Sequence, residues 1–158
     1  VAKTQIRTPI GIAEITGDKL GISEVKILEE GIKSNDEVPT VLLKAVEQLE
    51  AYFNGEITSF TLQLNPEGTI FQKKVWNSLA KIPYGTTNSY LQLSQKLGNI
   101  KAIRAVAAAN GKNPLWIVVP CHRVIGSDGS LTGYAGGLWR KKWLLQHENP
   151  LAQQSLFV

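Results

Sequence analysis

Near residue 66 the hydrophobic pattern of this chain changes period, and no single layer of structure can satisfy both halves. Before that point apolar residues come in short alternating runs. Gly11-Ile12-Ala13-Glu14-Ile15-Thr16 alternates, Gly17-Asp18 reads as a turn, and Leu20 to Leu28 is rich in strand formers. A hairpin or small meander is expected over residues 1–30. Residues 37–54 then carry a helical pattern, with Val41, Leu42, Ala45, Leu49, Tyr52 and Phe53 on one face and Asn54-Gly55 as its stop. Phe60 to Leu64 alternates as a strand, and Asn65-Pro66-Glu67-Gly68 reads as a turn. Beyond it the period is mostly that of helices. The pattern predicts an α/β protein: a small N-terminal sheet-plus-helix domain, 1–65, followed by a mainly helical C-terminal domain, 66–158.

Charge changes sign at the same place. Residues 1–65 hold six Lys and Arg against ten Asp and Glu, a net −4; residues 66–158 hold eleven against three, a net +8. The basic half suits a polyanion, because cationic side chains displace counterions from phosphates; an ordinary charged surface with chance asymmetry reads the same way. No apolar run approaches the ~20 residues of a membrane helix, and the N-terminus has no apolar h-region of a signal peptide. The chain has one cysteine and two histidines. One cysteine makes no internal disulfide and no Cys-rich zinc site, so a reduced, cytoplasmic protein without metal or cofactor is expected.

In the second half, Phe71, Val75, Leu79 and Ile82 lie at helical spacing over residues 70–81, and Pro83-Tyr84-Gly85 breaks that run. Ser89-Tyr90-Leu91-Gln92 has the form of a capping box that starts a helix ending at Gly98. A second helix covers about 100–109 and ends at Asn110-Gly111. Two short helices with a glycine in the turn make a helix-turn-helix candidate, although many helical hairpins never touch DNA. The second helix is rich in alanine, and Lys101 and Arg104 project from it. Such a smooth helix can lie on a groove floor or pack closely against its neighbours. The segment 137–146 reads as a helix with Leu138, Leu144 and Leu145 inward and Arg140, Lys141 and Lys142 outward, and the four tryptophans read as packing residues.

Leu115-Trp116-Ile117-Val118-Val119 reads as a buried strand or extended segment leading into Pro120-Cys121-His122-Arg123-Val124. Pro120 restricts the backbone before the cysteine. A thiol becomes a strong nucleophile on losing its proton, which a neighbouring imidazole promotes. Cys121, His122 and the downstream Glu148 could form a nucleophile, base and orienter. A lone buried cysteine is most often an inert core residue, and spacing alone does not single out the catalytic reading.

Pro120-Cys121-His122-Arg123-Val124 resembles the active-site motif of the O6-alkylguanine-DNA alkyltransferases, also called methylated-DNA–protein-cysteine methyltransferases. Pro83-Tyr84-Gly85, Ser89-Tyr90, Arg104-Ala105-Val106, Asn110-Gly111, Asn113-Pro114, Tyr134-Ala135-Gly136-Gly137 and Leu144-Leu145-Gln146-His147-Glu148 look like further blocks of that family in its order. They cover roughly residues 70–148. The N-terminal residues match the family's variable domain in size and carry no diagnostic motif.

The resemblance implies single-turnover transfer of an alkyl group from O6 of guanine in double-stranded DNA to Cys121. His122 would act as base through a water, Glu148 would orient it, and Asn113 would brace the nearby turn. Tyr90 would donate a hydrogen bond to the extruded guanine, and Arg104 would fill the space it leaves. Lys101, Ala105 and Asn110 would lie on the DNA side. Pro120, Val124, Tyr134 and Ala135 would form the base pocket. Binding would be in the minor groove, largely independent of sequence, by a monomer with no membrane. Ala135 stands where some members have Ser, and Ala107-Ala108 where some have Gly-Gly. Relatives that only sense the lesion have Trp in place of Cys, so Cys121 argues for transfer. The rival readings are a non-catalytic alkyl-lesion sensor or DNA-binding regulator, and a thiol hydrolase that turns over.

Overall fold

The computed structural model describes residues 1–30 and 37–150. Residues 31–36 and the apolar tail beyond 150, which the sequence reading assigns to the second domain, lie outside the described residues. The chain forms two compact units: Val1–Glu67 with Pro114–Val118, and Gly68–Asn113 with the chain from Val119 onward.

In the first unit, β1 (Ala2–Thr8), β2 (Gly11–Asp18) and β3 (Gly21–Leu28) form an antiparallel sheet in the order β1-β2-β3. Ala13 and Ile15 of β2 are fully buried, as alternation requires. Glu14 turns the other way, between Lys3 at 3.5 Å and Lys26 at 3.7 Å, and accepts from Gln5 Nε2 at 2.9 Å. The β2–β3 turn is at Lys19-Leu20, not at Gly17-Asp18. Asp18 Oδ1 accepts from Leu20 N at 2.8 Å, so Asp18 opens the turn from the end of the strand. Gly21 closes it at φ +139°, where a Cβ would come 2.8 Å from Gln63 O.

A 3-10 turn, Thr40–Leu42, leads into α1 (Leu43–Phe53). Leu42, Ala45, Val46, Leu49 and Tyr52 are buried, and each fully buried leucine contributes about 1.5–3 kcal/mol. Val41 is 44% exposed, against expectation, because the tighter first turn puts it out of phase with the helix face. Residues 60–64, expected to be a strand, and residues 115–119, expected to be a strand or an extended segment, share the outer edge of β3. Residues 63–65 bond to Ile22, through Ile22 N to Gln63 O at 2.9 Å and Asn65 N to Ile22 O at 2.8 Å. Residues 114–116 bond to Val25, through Val25 N to Pro114 O at 2.8 Å and Trp116 N to Val25 O at 3.0 Å. Each makes a single parallel bridge, because each meets β3 at one residue only. Residues 65–68 run on without a turn, and the segment after Leu115 turns with Ile117 at φ +73°.

The second unit contains α2 (Ile70–Leu79), β4 (Asn88–Ser89), α3 (Tyr90–Lys96), α4 (Ile103–Gly111), β5 (Val124–Ile125) and α5 (Leu138–Glu148). Capping boxes start α2 at Thr69-Gln72 and α3 at Ser89-Gln92. Gly98, at φ +82°, ends the first helix of the α3–α4 pair, and a 3-10 turn, Ile100–Ala102, precedes the second. Trp76 Nε1 donates to Ala109 O at 2.8 Å, tying α2 to the buried side of α4. The parallel pairing of β4 with β5, Asn88 to Val124 and Ser89 to Ile125, sets the start of α3 beside the cysteine segment.

α5 corrects the sequence reading. Leu138 is 50% exposed, whereas Arg140 and Lys141 are buried; Lys142 faces out as expected. Lys141, Leu144, Leu145 and Glu148 follow i, i+3, i+4, i+7 on one buried face. Trp139 is 54% exposed, so it is not a core residue as expected, while Trp76 is.

Candidate active site

Pro120 lies at φ −81°, ψ 64°, the centre of an inverse γ-turn in which Cys121 N donates to Val119 O at 2.8 Å. Asn113 Nδ2 donates to the same carbonyl at 2.8 Å. Two donors on one oxygen fix the backbone that delivers Cys121, the first residue of a 3-10 turn, Cys121–Arg123. The thiol is 5% exposed. Burial pushes its pKa up to about 11, with the Asn113 side chain and the Lys141 ammonium pulling it back. At rest the sulfur is a protonated thiol.

His122 is fully buried, and its Nε2 meets Glu148 Oε2 at 2.8 Å. A carboxylate oxygen only accepts, so Nε2 carries the proton and Nδ1 the lone pair. Nδ1 has no hydrogen-bond partner among the described residues. Burial lowers the imidazole pKa, and the pull of Glu148 in the other direction does not prevail. His122 is therefore neutral, with a free basic nitrogen. Glu148 accepts two bonds from Arg123, Nε to Oε1 at 2.8 Å and Nη2 to Oε2 at 2.9 Å. Burial alone would raise its carboxyl pKa, but His122 and Arg123 outweigh burial and hold it well below the usual carboxylate range. The third arm of Arg123, Nη1, donates to Ile82 O at 2.7 Å, and the guanidinium lies over the Tyr84 ring at 5.6 Å. The segment that breaks the helical run at Pro83-Tyr84-Gly85 thus holds the cation that holds the orienting carboxylate.

A cavity of about 500 Å³ opens between the start of α3, the end of α4 and the loop before α5. Its size falls in the ~300–1,000 Å³ range of small-molecule pockets. Tyr90, Asn110, Tyr134 and Ala135 line it, as the sequence reading expects of Tyr134 and Ala135, together with Ala107, Gly111, Thr132 and Gly133. Thr132 Oγ1 donates to Tyr90 Oη across it at 3.3 Å. Pro120 and Val124 are buried and do not line it; neither does Cys121. Burial first, and then charge on Cys121, raise the Tyr134 phenol pKa well above the ordinary value. Along α4, Val106, Ala109 and Asn110 face inward, while Arg104, Ala105 and Ala108 are exposed, as is Lys101 of the preceding 3-10 turn. The alanines serve both alternatives that the sequence left open: Ala109 permits close packing, and Ala105 and Ala108 keep the outer face smooth.

Residues 70–150 match the family described as 6-O-methylguanine DNA methyltransferase, DNA binding domain, and residues 1–66 match its ribonuclease-like domain. The methylated-DNA–protein-cysteine methyltransferase of Methanosarcina acetivorans is 49% identical over 148 residues, which cover 89% of this chain and 94% of the relative. That of Mycobacterium tuberculosis is 43% identical over 155 residues, covering 96% and 94%. The chain belongs to the methylated-DNA–protein-cysteine methyltransferase family. A crystal structure of M. tuberculosis OGT in complex with DNA superposes with a TM-score of 0.85 at 42% identity, covering 100% of both chains. The O6-methylguanine-DNA methyltransferase from the archaeon Pyrococcus kodakaraensis superposes at 0.70 with 26% identity, covering 92% of this chain and 97% of that one.

Within this family, sequence reasoning misses three buried cations, Arg123, Arg140 and Lys141. Arg123 stands inside the cysteine motif but was given no role. Lys141 was placed on the surface because charges are seldom fully buried. Its spacing from Leu144, Leu145 and Glu148 was the available signal.

Proposed function

We propose that the chain repairs O6-alkylguanine in DNA by moving the alkyl group onto Cys121 Sγ, once per molecule. The observation that carries this reading is the buried set of Cys121, His122 and Glu148 in the same compact unit as a cavity of about 500 Å³ that Tyr90, Asn110, Tyr134 and Ala135 line at the end of α4. Arg104, Ala105 and Ala108 of α4, with Lys101 of the turn before it, meet the minor groove, with contacts to phosphate that make binding largely sequence-independent and salt-sensitive. The alkylated nucleotide swings out, at a cost of a few kcal/mol that is least for a poorly paired base, and Arg104 takes its place in the stack. The guanine enters the cavity past Tyr90, Asn110, Tyr134 and Ala135.

The thiol proton passes to His122 Nδ1 through a water, and the Glu148 carboxylate stabilises the imidazolium that forms. The thiolate attacks the alkyl carbon, a C–S bond forms, and the C–O6 bond breaks. The leaving guanine anion is met by the Tyr90 hydroxyl and ends protonated, so the thiol's proton is accounted for. The product is a thioether, which has no leaving group that the site could activate; hence one turnover. Every group in this scheme belongs to one chain, so a monomer suffices. A lone thiol with no disulfide partner suits a reducing compartment that holds DNA, cytoplasmic or, in a eukaryote, nuclear. Among the described residues, no helix is long and apolar enough to cross a membrane.

The test is to mix the protein with duplex DNA carrying O6-methylguanine and weigh the tryptic peptide Asn113–Arg123. A stoichiometric gain of one methyl, lost in Cys121→Ser, is expected. An unmodified peptide with retained binding would make the chain a lesion sensor, and many turnovers per molecule would make it a hydrolase.

A further inference from the structure

The transfer scheme leaves the hydrogen bond across the cavity without a role. Thr132 Oγ1 donates to Tyr90 Oη at 3.3 Å. The two residues come from separate elements. Tyr90 is the first residue of α3, held there by the Ser89-Gln92 capping box. Thr132 lies on the loop between β5 and α5, and its backbone is pinned where Lys141 Nζ donates to Thr132 O at 2.8 Å. Its hydroxyl therefore reaches Tyr90 from a fixed frame. Among the described residues neither hydroxyl has another hydrogen-bond partner. Ala135, further along the same wall, brings no hydroxyl to the cavity.

A hydroxyl carries one proton to donate and lone pairs to accept with. With the Thr132 proton on Tyr90 Oη, the phenol proton is left over and can turn toward a base in the cavity. We propose that Thr132 is a positioning residue for the transfer step: its hydroxyl sets the Tyr90 hydroxyl as a donor to the guanine that leaves. The inference rests on the transfer reading.

The length of the bond decides when it acts. Hydroxyl-to-oxygen bonds usually measure ~2.5–3.0 Å, so at 3.3 Å this one is weak at rest. As the C–O6 bond breaks, negative charge gathers on the guanine and draws the phenol proton toward it. Tyr90 Oη then becomes more negative and a better acceptor, and the bond from Thr132 strengthens with it. An interaction that is stronger in the transition state than in the bound substrate raises the rate of transfer and leaves affinity for the lesion nearly unchanged. A hydroxyl that merely closed the opening would act the other way. Its bond would have to break for the base to enter, and removing it would speed transfer.

The experiment is the single-turnover rate of methyl transfer from O6-methylguanine duplex, followed against duplex concentration in wild type, Thr132→Val, Thr132→Ser, Tyr90→Phe and the double variant Tyr90→Phe with Thr132→Val, with thermal melts of each. Thr132→Val keeps the shape of the side chain and removes its hydroxyl. It should slow transfer at saturation by about fivefold, the effect of one hydrogen bond, while the half-saturating concentration moves by less than about twofold. Thr132→Ser should restore most of the rate. In the Tyr90→Phe background Thr132→Val should slow transfer no further, because the acceptor of the bond is already gone. Equal slowing by Thr132→Val in both backgrounds, slowing that Thr132→Ser does not rescue, or a Thr132→Val protein as fast as wild type or faster overturns the Thr132 assignment and leaves the transfer reading intact. Should Thr132→Val not fold, Thr132→Ala removes the same hydroxyl and is read in the same two backgrounds. A wild-type protein that carries no methyl on Cys121 overturns both.

Discussion

Replacing Glu148 by Gln keeps the length of the side chain and removes its charge. In the native site three donors converge on the carboxylate: His122 Nε2 at 2.8 Å, Arg123 Nε at 2.8 Å and Arg123 Nη2 at 2.9 Å. An amide offers one acceptor oxygen and turns an N–H₂ toward groups that are themselves donors. At least one donor is orphaned, and the Arg123 guanidinium is left buried without its counter-charge. Breaking a buried pair from one side costs about 3–5 kcal/mol, a large part of the ~5–15 kcal/mol that holds a domain together. At roughly 2–4 °C per kcal/mol for chains of 150–250 residues, Glu148→Gln should melt about 6–20 °C below wild type at pH 7 by scanning calorimetry.

The difference should depend on pH with a definite sign. The carboxyl pKa is depressed in the folded state from its ordinary 4.5. Its stabilisation is therefore full above that value and is lost as pH falls through the folded pKa, so the two melting curves should converge in acid. Adding Arg123→Met should restore part of the loss, because it removes the orphaned charge. Transfer should fall by about 10²–10⁴, the usual contribution of general acid–base catalysis, since nothing then fixes the His122 tautomer. A Glu148→Gln protein melting within 2 °C of wild type, with a gap independent of pH, would refute the reasoning.

Three further outcomes are expected. Trp76→Phe removes the Nε1 donor to Ala109 O, which then keeps only the bond from Lys112 N at 3.2 Å, and should cost about 0.5–1.5 kcal/mol in a denaturant titration with transfer retained. Arg104→Ala changes an exposed side chain, so it should leave stability within about 0.5 kcal/mol while weakening capture of lesion-bearing duplex in a filter-binding assay. His122 is buried with a pKa below its ordinary 6.5. The unfolded chain therefore binds a proton that the folded chain resists, and calorimetric melts should show wild-type stability falling as pH drops below 6.5, ahead of the loss that belongs to Glu148.

The chemistry of the site was legible in one dimension because its parts are local. Cys121 and His122 are consecutive, and the γ-turn that aims the sulfur is written in Val119-Pro120-Cys121. Ser89-Gln92 announces its helix because a capping box closes within four residues. The meander follows from alternation, a property of single strands. What failed in the linear reading failed wherever two distant segments compete for one partner. Residues 60–64 have the composition of a strand, yet obtain one bridge because they share the open edge of β3 with residues 115–119. Periodicity describes what a segment can do; it contains no information about how much edge is left to pair with.

The same limit hides the electrostatics. From its own sequence neighbourhood Lys141 is one of three successive cations on a helix and belongs in water, and Arg123 is a charge after a histidine. The tertiary structure turns α5 so that Lys141 and Glu148 share the apolar face with Leu144 and Leu145, and brings Ile82, Tyr84 and Glu148 to one guanidinium, that of Arg123. A charge can be buried only where partners from elsewhere in the chain satisfy it, and those partners lie 25 to 41 residues away from Arg123. Residue order determined which atoms react; the packed fold decided the protonation states in which they wait.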